Sequence, residues 1–186
     1  VTVVEFFDPA CETCRAFYPF VKDLMRKHPQ DIRLVLRYAP FHQGSDQVIK
    51  LLEAARLQGL YQPVLEMVLA AQPLWADHSQ PNVERAFQAA AEAGLDLQKA
   101  RVDMKSPAIE ALLAQDVQDL TALEVTKTPT PDLPATAVGV ARMAAQAASL
   151  RVMTPWRCCS SRFDTSNTEA RMSRRAAARL ATRRTW

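Results

Sequence analysis

The chain opens on an apolar run, residues 1–7 (VTVVEFF), that is broken at Asp8-Pro9. A short stretch rich in valine and phenylalanine reads as a buried strand, and proline, which has no N–H to give, cannot continue its ladder. The period then changes. Phe17, Phe20, Val21, Leu24 and Met25 fall at i, i+3, i+4, i+7 and i+8, which predicts one apolar helix face over residues 11–28, with Pro19 expected to kink it. Residues 32–38 (IRLVLRY) alternate apolar and polar positions and predict a second strand.

From residue 40 to 124 strand signals stop and helical stripes take over. Val48, Leu51, Leu52 and Ala55 follow Ser45 or Asp46 as a capping residue and end at Gly59. Val64, Leu65, Val68 and Leu69 follow Pro63, which is expected to start their helix. Phe87, Ala90 and Ala91 follow Pro81, expected at the first helical position, and end at Gly94. Ile109, Leu112, Leu113, Val117, Leu120 and Leu123 follow Ser106-Pro107. The predicted order is strand, helix, strand, then a block of helices. Residues 125–130 (VTKTPT) read as a loop, and no strand is expected after it.

Composition bounds the class. The chain has 186 residues, of which 48% are hydrophobic, enough for one globular domain with an insertion. No run reaches the roughly 18 apolar residues that suggest a membrane span. Because Val1 already lies in a strand, the chain is expected to begin after a removed segment. The net charge of +3 is unevenly spread. Residues 1–130 carry 13 basic and 17 acidic groups (13 − 17 = −4), and residues 131–186 carry 10 basic and 3 acidic (10 − 3 = +7). The basic surplus therefore sits in the tail and does not point the body toward nucleic acid. In that tail Ala and Arg supply 22 of 56 residues, Lys is absent, and the only periodicity is a weak helical one over residues 138–150. Two readings fit it: the product of a frame shift in a GC-rich gene, or a disordered basic arm.

Chemistry enters with Cys11 and Cys14, a Cys-x-x-Cys pair placed where the first strand hands over to the first helix. A thiol at a helix N-terminus faces unpaired N–H groups and the positive end of the helix dipole, which favour thiolate. The residues alone leave three readings: a redox pair, two structural cysteines, or half of a zinc site. A structural zinc needs four ligands, and the remaining cysteines, Cys158 and Cys159, are adjacent to each other and lie in the tail. His28, His42 and His78 fall in predicted loops or at helix ends, where solvated or capping histidines are common; His42 has the better placement for reaching the cysteines.

With these residues in hand, residues 1–130 resemble the DsbA-like branch of the thioredoxin superfamily. VVEFFDPACETC is similar to that family's first strand and active-site turn, and Pro19 stands at the spacing of the helix proline in thioredoxin. The helical block resembles the insertion that separates DsbA-like proteins from plain thioredoxins, and Thr128-Pro129 looks like the family's cis-proline loop. The resemblance implies an α/β, thioredoxin-like fold. Its parts are residues 1–39 as the N-terminal βαβ part, 40–124 as the helical insertion, 125–130 as the cis-proline loop, and 131–186 as the atypical tail.

The same resemblance implies a protein thiol-disulfide oxidoreductase. Cys11 is its expected nucleophile and Cys14 its buried resolving thiol. Glu5 is expected as proton relay, Thr128 and Pro129 as the substrate-pairing loop, and Glu12 and Thr13 as residues that tune the thiolate. Glu12 repels an anion at Cys11, so the expected Cys11 pKa is below that of a free thiol but not at the lowest end for activated cysteines. No metal is expected, and no cofactor beyond a redox-active Cys11–Cys14 disulfide. The expected partners are protein thiols and disulfides and a recycling redox partner that can be membrane-bound; a monomer is expected. The implied location is the periplasm or another exported site. Competing readings are a non-catalytic thioredoxin-fold adaptor and a glutathione-dependent transferase or isomerase on the same fold.

Overall fold

The computed structural model describes residues 2–132. The tail with Cys158 and Cys159, and with it the frame-shift and basic-arm expectations, lies outside the described residues from position 133 onward.

The element order is β1 Thr2–Phe7, α1 Glu12–Lys27, β2 Arg33–Tyr38, α2 Ser45–Leu57, α3 Tyr61–Ala70, α4 Gln72–Trp75, α5 Val83–Glu92, α6 Leu97–Asp103, α7 Pro107–Ala122 and β3 Thr130–Asp132. The sheet runs β2-β1-β3, with β1 parallel to β2 and antiparallel to β3. A parallel neighbour needs a crossover, and α1 supplies it. β1 is thus the central strand, paired through Glu5 with Leu36 on one side and with Pro131 on the other.

Strand parity divides the core. Val3 and Phe7 join Leu34, Leu36, Tyr38 and the insertion in the larger cluster, which also holds Cys11 and Cys14. Val4 and Phe6 join Val35 and Ala39 on the opposite face, where Leu120 and Leu123 of α7 and its following turn cover them. Because helices cover both faces, β2 is buried from Leu34 through Tyr38. Its predicted alternation is therefore corrected. Arg37 is not an outward residue; its Nε lies 2.7 Å from Asp116 Oδ1, as an ion pair without hydrogen-bond alignment, and its other end meets Asp119.

Four other expectations change. The inner face of α1 is Cys14, Tyr18, Val21 and Met25, rotated from the predicted stripe. Phe17 and Phe20 instead stack on each other at 6.5 Å, and Phe20 is 56% exposed. The sequence pattern missed this rotation because it gave no weight to a cysteine and a tyrosine as core residues. α2 is capped by Gly44, at φ +82, not by Ser45 or Asp46. A Cβ at Gly44 would stand 2.8 Å from Val83 Cγ2, so the chain passes too close there for a side chain. α3 begins two residues before Pro63, and α5 begins at Val83 behind an Asn82 cap, with Pro81 ahead of both. Lastly, a strand does follow the loop: β3 starts at Thr130 and pairs with β1. The short helices α4 and α6 were not legible as periodic stripes.

Candidate active site

The first turn of α1 builds the thiol site. Cys11 is the N-cap, with extended backbone at φ −74 and ψ 119, and its Sγ accepts from the N–H of Cys14 at 3.4 Å. A sulfur thus takes the position that a serine or aspartate oxygen fills at other helix starts. Ser106 does this for α7 through Ile109 N, and Asp96 for α6 through Lys99 N. Both thiols are unbridged and buried, Cys11 at 7% exposure and Cys14 deeper.

Their environments push the two thiols apart. The Cys11 pKa falls from an ordinary 9.0 to about 5. The largest cause is a hydrogen bond from the Cys14 thiol. Burial opposes it, and bonds from the Thr128 side chain and from the backbone N–H groups of Cys14 and Thr13 add to the lowering. Cys14 is pushed up, first because its S–H donates a hydrogen bond to the Cys11 sulfur and then by burial. One thiol is set to be an anion while the other keeps its proton, the division a nucleophile and a resolving thiol require.

Thr128 arrives from 117 residues away in sequence. When Cys11 carries a proton, its Sγ donates to the Thr128 carbonyl at 3.4 Å. The Thr128–Pro129 peptide is cis. Cys11, Cys14 and the Thr128-Pro129 loop are therefore brought together. Glu12 and Thr13 are exposed on the turn itself. The Glu12 carboxylate lies 3.7 Å from His78 Nε2.

Glu5 lies on the β1 face shared with Val3 and Phe7, the face turned toward the cysteines by strand parity. It is 4% exposed, and burial raises its pKa from 4.5 to about 7. No hydrogen bond joins its carboxyl to either cysteine among the described residues. A carboxyl that titrates near neutrality on this face is suited to moving a proton, and the reading of Glu5 as an outward strand-edge carboxylate is corrected by its burial on the central strand.

Two residues of the site, Asp8 and Gln72, were not singled out in the sequence as site residues. Asp8 is fully buried and is the hub of the turn. Its carboxylate accepts from Ala10 N at 2.9 Å, Phe41 N at 2.9 Å, His42 N at 3.1 Å and the Ser45 hydroxyl, and it pairs with His42 Nδ1 at 2.7 Å. Gln72 of α4 donates from Nε2 to the carbonyls of Pro9 and Cys11. His42 reaches the site only through Asp8, and its ring tilts against that of His78 at 5.5 Å. The available signals were an aspartate placed directly before the cysteine turn and a lone glutamine inside the apolar run VLAAQPLW.

Comparison with known proteins agrees with this architecture. A family model described as Thioredoxin matches residues 1–131, and the chain belongs to that family. Its fold is the DsbA-like one, a thioredoxin-like sheet carrying a helical insertion. The chain is similar to a thioredoxin-like oxidoreductase from Silicibacter pomeroyi DSS-3, at 27% identity and a TM-score of 0.63, over 81% of this chain and 87% of that one. The DsbA oxidoreductase from Xylella fastidiosa shares the fold at 15% identity and a TM-score of 0.63, over 80% of this chain and 86% of that one. A relative of another kind is the Na(+)/H(+) antiporter NhaA of Herminiimonas arsenicoxydans, 31% identical over 130 residues. Those residues are 70% of this chain but 20% of the antiporter, so the chain spans about a fifth of that relative's length.

Proposed function

We propose that the protein is a thiol-disulfide oxidoreductase that exchanges disulfides with protein substrates through Cys11 and Cys14. The observation that carries the reading is the opposed pair of thiols at the start of α1, Cys11 pulled down to about 5 and Cys14 pushed up. In the oxidising direction a substrate thiolate attacks Cys11 Sγ of the Cys11–Cys14 disulfide. A mixed disulfide forms and Cys14 leaves as thiolate, which takes a proton delivered from Glu5 through solvent. A second substrate thiolate then attacks the substrate sulfur and releases Cys11. A thiol with a low pKa is the better leaving group, so this geometry favours oxidation of substrates, and a recycling redox partner must then withdraw two electrons. Thr128 and Pro129 present the edge along which an extended substrate chain pairs. No bound cofactor is needed for these steps.

Likeness to a thioredoxin-like oxidoreductase and to DsbA folds supports this reading. We place the exchange in the periplasm, where disulfides persist, with a recycling redox partner that can be membrane-bound. Incubating the protein with a reduced, disulfide-forming substrate and an oxidant tests the proposal. Cys11→Ser is expected to abolish exchange, and Cys14→Ser to accumulate a mixed disulfide that non-reducing electrophoresis resolves. Full turnover by Cys14→Ser would favour a glutathione-dependent transferase. Absence of exchange by the unsubstituted protein would favour an adaptor.

A further inference from the structure

The geometry points to Gln72 as the positioning residue of the Cys11 sulfur, a side chain of the helical insertion that holds the turn in the conformation from which the sulfur reaches the N-terminus of α1. This inference rests on the thiol-exchange reading of Cys11 and Cys14.

Gln72 is the first residue of α4 and is 1% exposed. Its amide nitrogen donates to Pro9 O at 2.7 Å and to Cys11 O at 3.0 Å. Two carbonyls can be met only by the NH₂ end, so they fix which way the amide faces. Its Oε1 is buried without a hydrogen-bond partner among the described residues. An orphaned buried acceptor destabilises a fold. An apolar side chain of similar length would avoid that, so stability alone does not explain a glutamine here.

The two bonds explain it. Each held carbonyl belongs to a peptide group that brackets the thiol. The Pro9–Ala10 peptide is gripped at both ends, its N–H by Asp8 Oδ1 and its C=O by Gln72. The Cys11 carbonyl also accepts from Arg15 N at 3.1 Å, the first bond of α1. The direction of that carbonyl is set by the Cys11 ψ of 119, and the same torsion decides whether Sγ faces Cys14 N. By restraining the carbonyl, Gln72 restrains the cap. Without it, the Pro9 carbonyl loses its described donor and the Cys11 carbonyl keeps one bond of two, so the turn is free to rotate the sulfur off the helix axis.

The charged groups nearby do not depend on this contact. Glu12, Arg15, Asp77 and His78 line one cleft with Gln72, and none of their charges is changed by Gln72→Met.

The test is the pH profile of Cys11 alkylation by iodoacetamide in the reduced full chain, followed by mass spectrometry, for the unsubstituted protein, Gln72→Met and Gln72→Glu. Folding is checked by far-UV circular dichroism. Gln72→Met is expected to raise the Cys11 midpoint by at least about half a unit, equivalent to roughly a threefold loss of thiolate at pH values below the midpoint. Gln72→Glu, whose carboxylate faces the same two carbonyls without an N–H, is expected to raise it further. Gln72→Asn, too short by one methylene, is expected to behave like Gln72→Met. Unchanged midpoints in folded Gln72→Met and Gln72→Glu would overturn the inference. If Gln72→Met does not fold, the uncharged Gln72→Asn decides, because a glutamate would raise the midpoint by its charge alone. Exchange with reduced glutathione is measured in parallel. Normal exchange with an unchanged profile refutes Gln72 only, whereas no exchange by the unsubstituted protein refutes the function while the alkylation profile still reads Gln72.

Discussion

Glu5 is the side chain whose burial carries the plainest thermodynamic consequence. A carboxyl raised from 4.5 to about 7 holds its proton more tightly in the folded chain than in the unfolded one. Its contribution to stability is therefore complete below about pH 4.5 and is lost as pH rises through about 7. The shift corresponds to roughly 3 kcal/mol, as an order of magnitude. Glu5→Gln is expected to remove this fall, so that with Cys11 and Cys14 joined as a disulfide, where Cys11 has no thiol to titrate, urea unfolding midpoints of the variant stay level between pH 5 and 8 while those of the unsubstituted protein decline. If Glu5 also relays the Cys14 proton, the same variant slows formation of the mixed disulfide from the oxidised protein without moving the Cys11 alkylation midpoint. Equal slopes for both proteins would remove Glu5 from the linkage.

Elements are held together by buried polar contacts as much as by apolar stripes. Arg37 of β2 lies between Asp116 and Asp119 of α7, and Asp116 also accepts from Tyr38 N at 3.0 Å. These contacts fasten the helix that covers the face of the sheet away from the cysteines. Asp116→Ala leaves Arg37 with one carboxylate and Tyr38 N without its acceptor. It is expected to destabilise the fold by about 3–5 kcal/mol in urea unfolding. The double replacement Arg37→Met with Asp116→Leu is expected to recover only part of that, since the bond from Tyr38 N to Asp116 is still lost; full recovery would show that the ion pair alone carried the effect. None of this was readable from IRLVLRY, where the alternation of Arg33, Leu34, Val35, Leu36 and Arg37 fits a strand with one wet face. Only the arrival of α7 turns Arg37 into a buried residue. Periodicity did locate α2, α3 and α5, whose stripes bury in the larger cluster, and α7, whose stripe is shared between the two faces of the sheet. It failed for α1, where Cys14 and Tyr18 share the inner face and Phe17 and Phe20 do not.

For the molecule as a unit, the proposed Cys11–Cys14 disulfide would link stability to redox state. The Cys11 anion is stabilised in the reduced fold, and the disulfide form has no such group to titrate. A thiol lowered from 9.0 to about 5 contributes stability that is complete above about pH 9 and is lost as pH falls through about 5. The reduced protein is therefore expected to gain thermal stability relative to the oxidised protein as pH rises from 5 to 8, measured by paired melts in the two states. A difference that stays constant over that range would contradict a low Cys11 pKa. The charge split between body and tail has no part in this linkage, since the groups that set it lie within residues 5–128.

What could be read from order along the chain were properties that depend on neighbours in sequence. A strand ends at Asp8-Pro9, a cysteine stands at the start of the next helix, and its resolving partner follows one turn later. Those facts fix a thiol at a helix N-terminus, because capping is local chemistry between residues three apart. The tertiary structure decided everything that crosses the sequence. It carried Thr128 to Cys11 and Gln72 to the carbonyls of Pro9 and Cys11. It also placed His42 and Ser45 on Asp8 and buried Glu5 between two neighbouring strands. Such contacts arise when packing brings distant segments together, and a polar residue in the sequence bears no mark of whether a helix will later cover it.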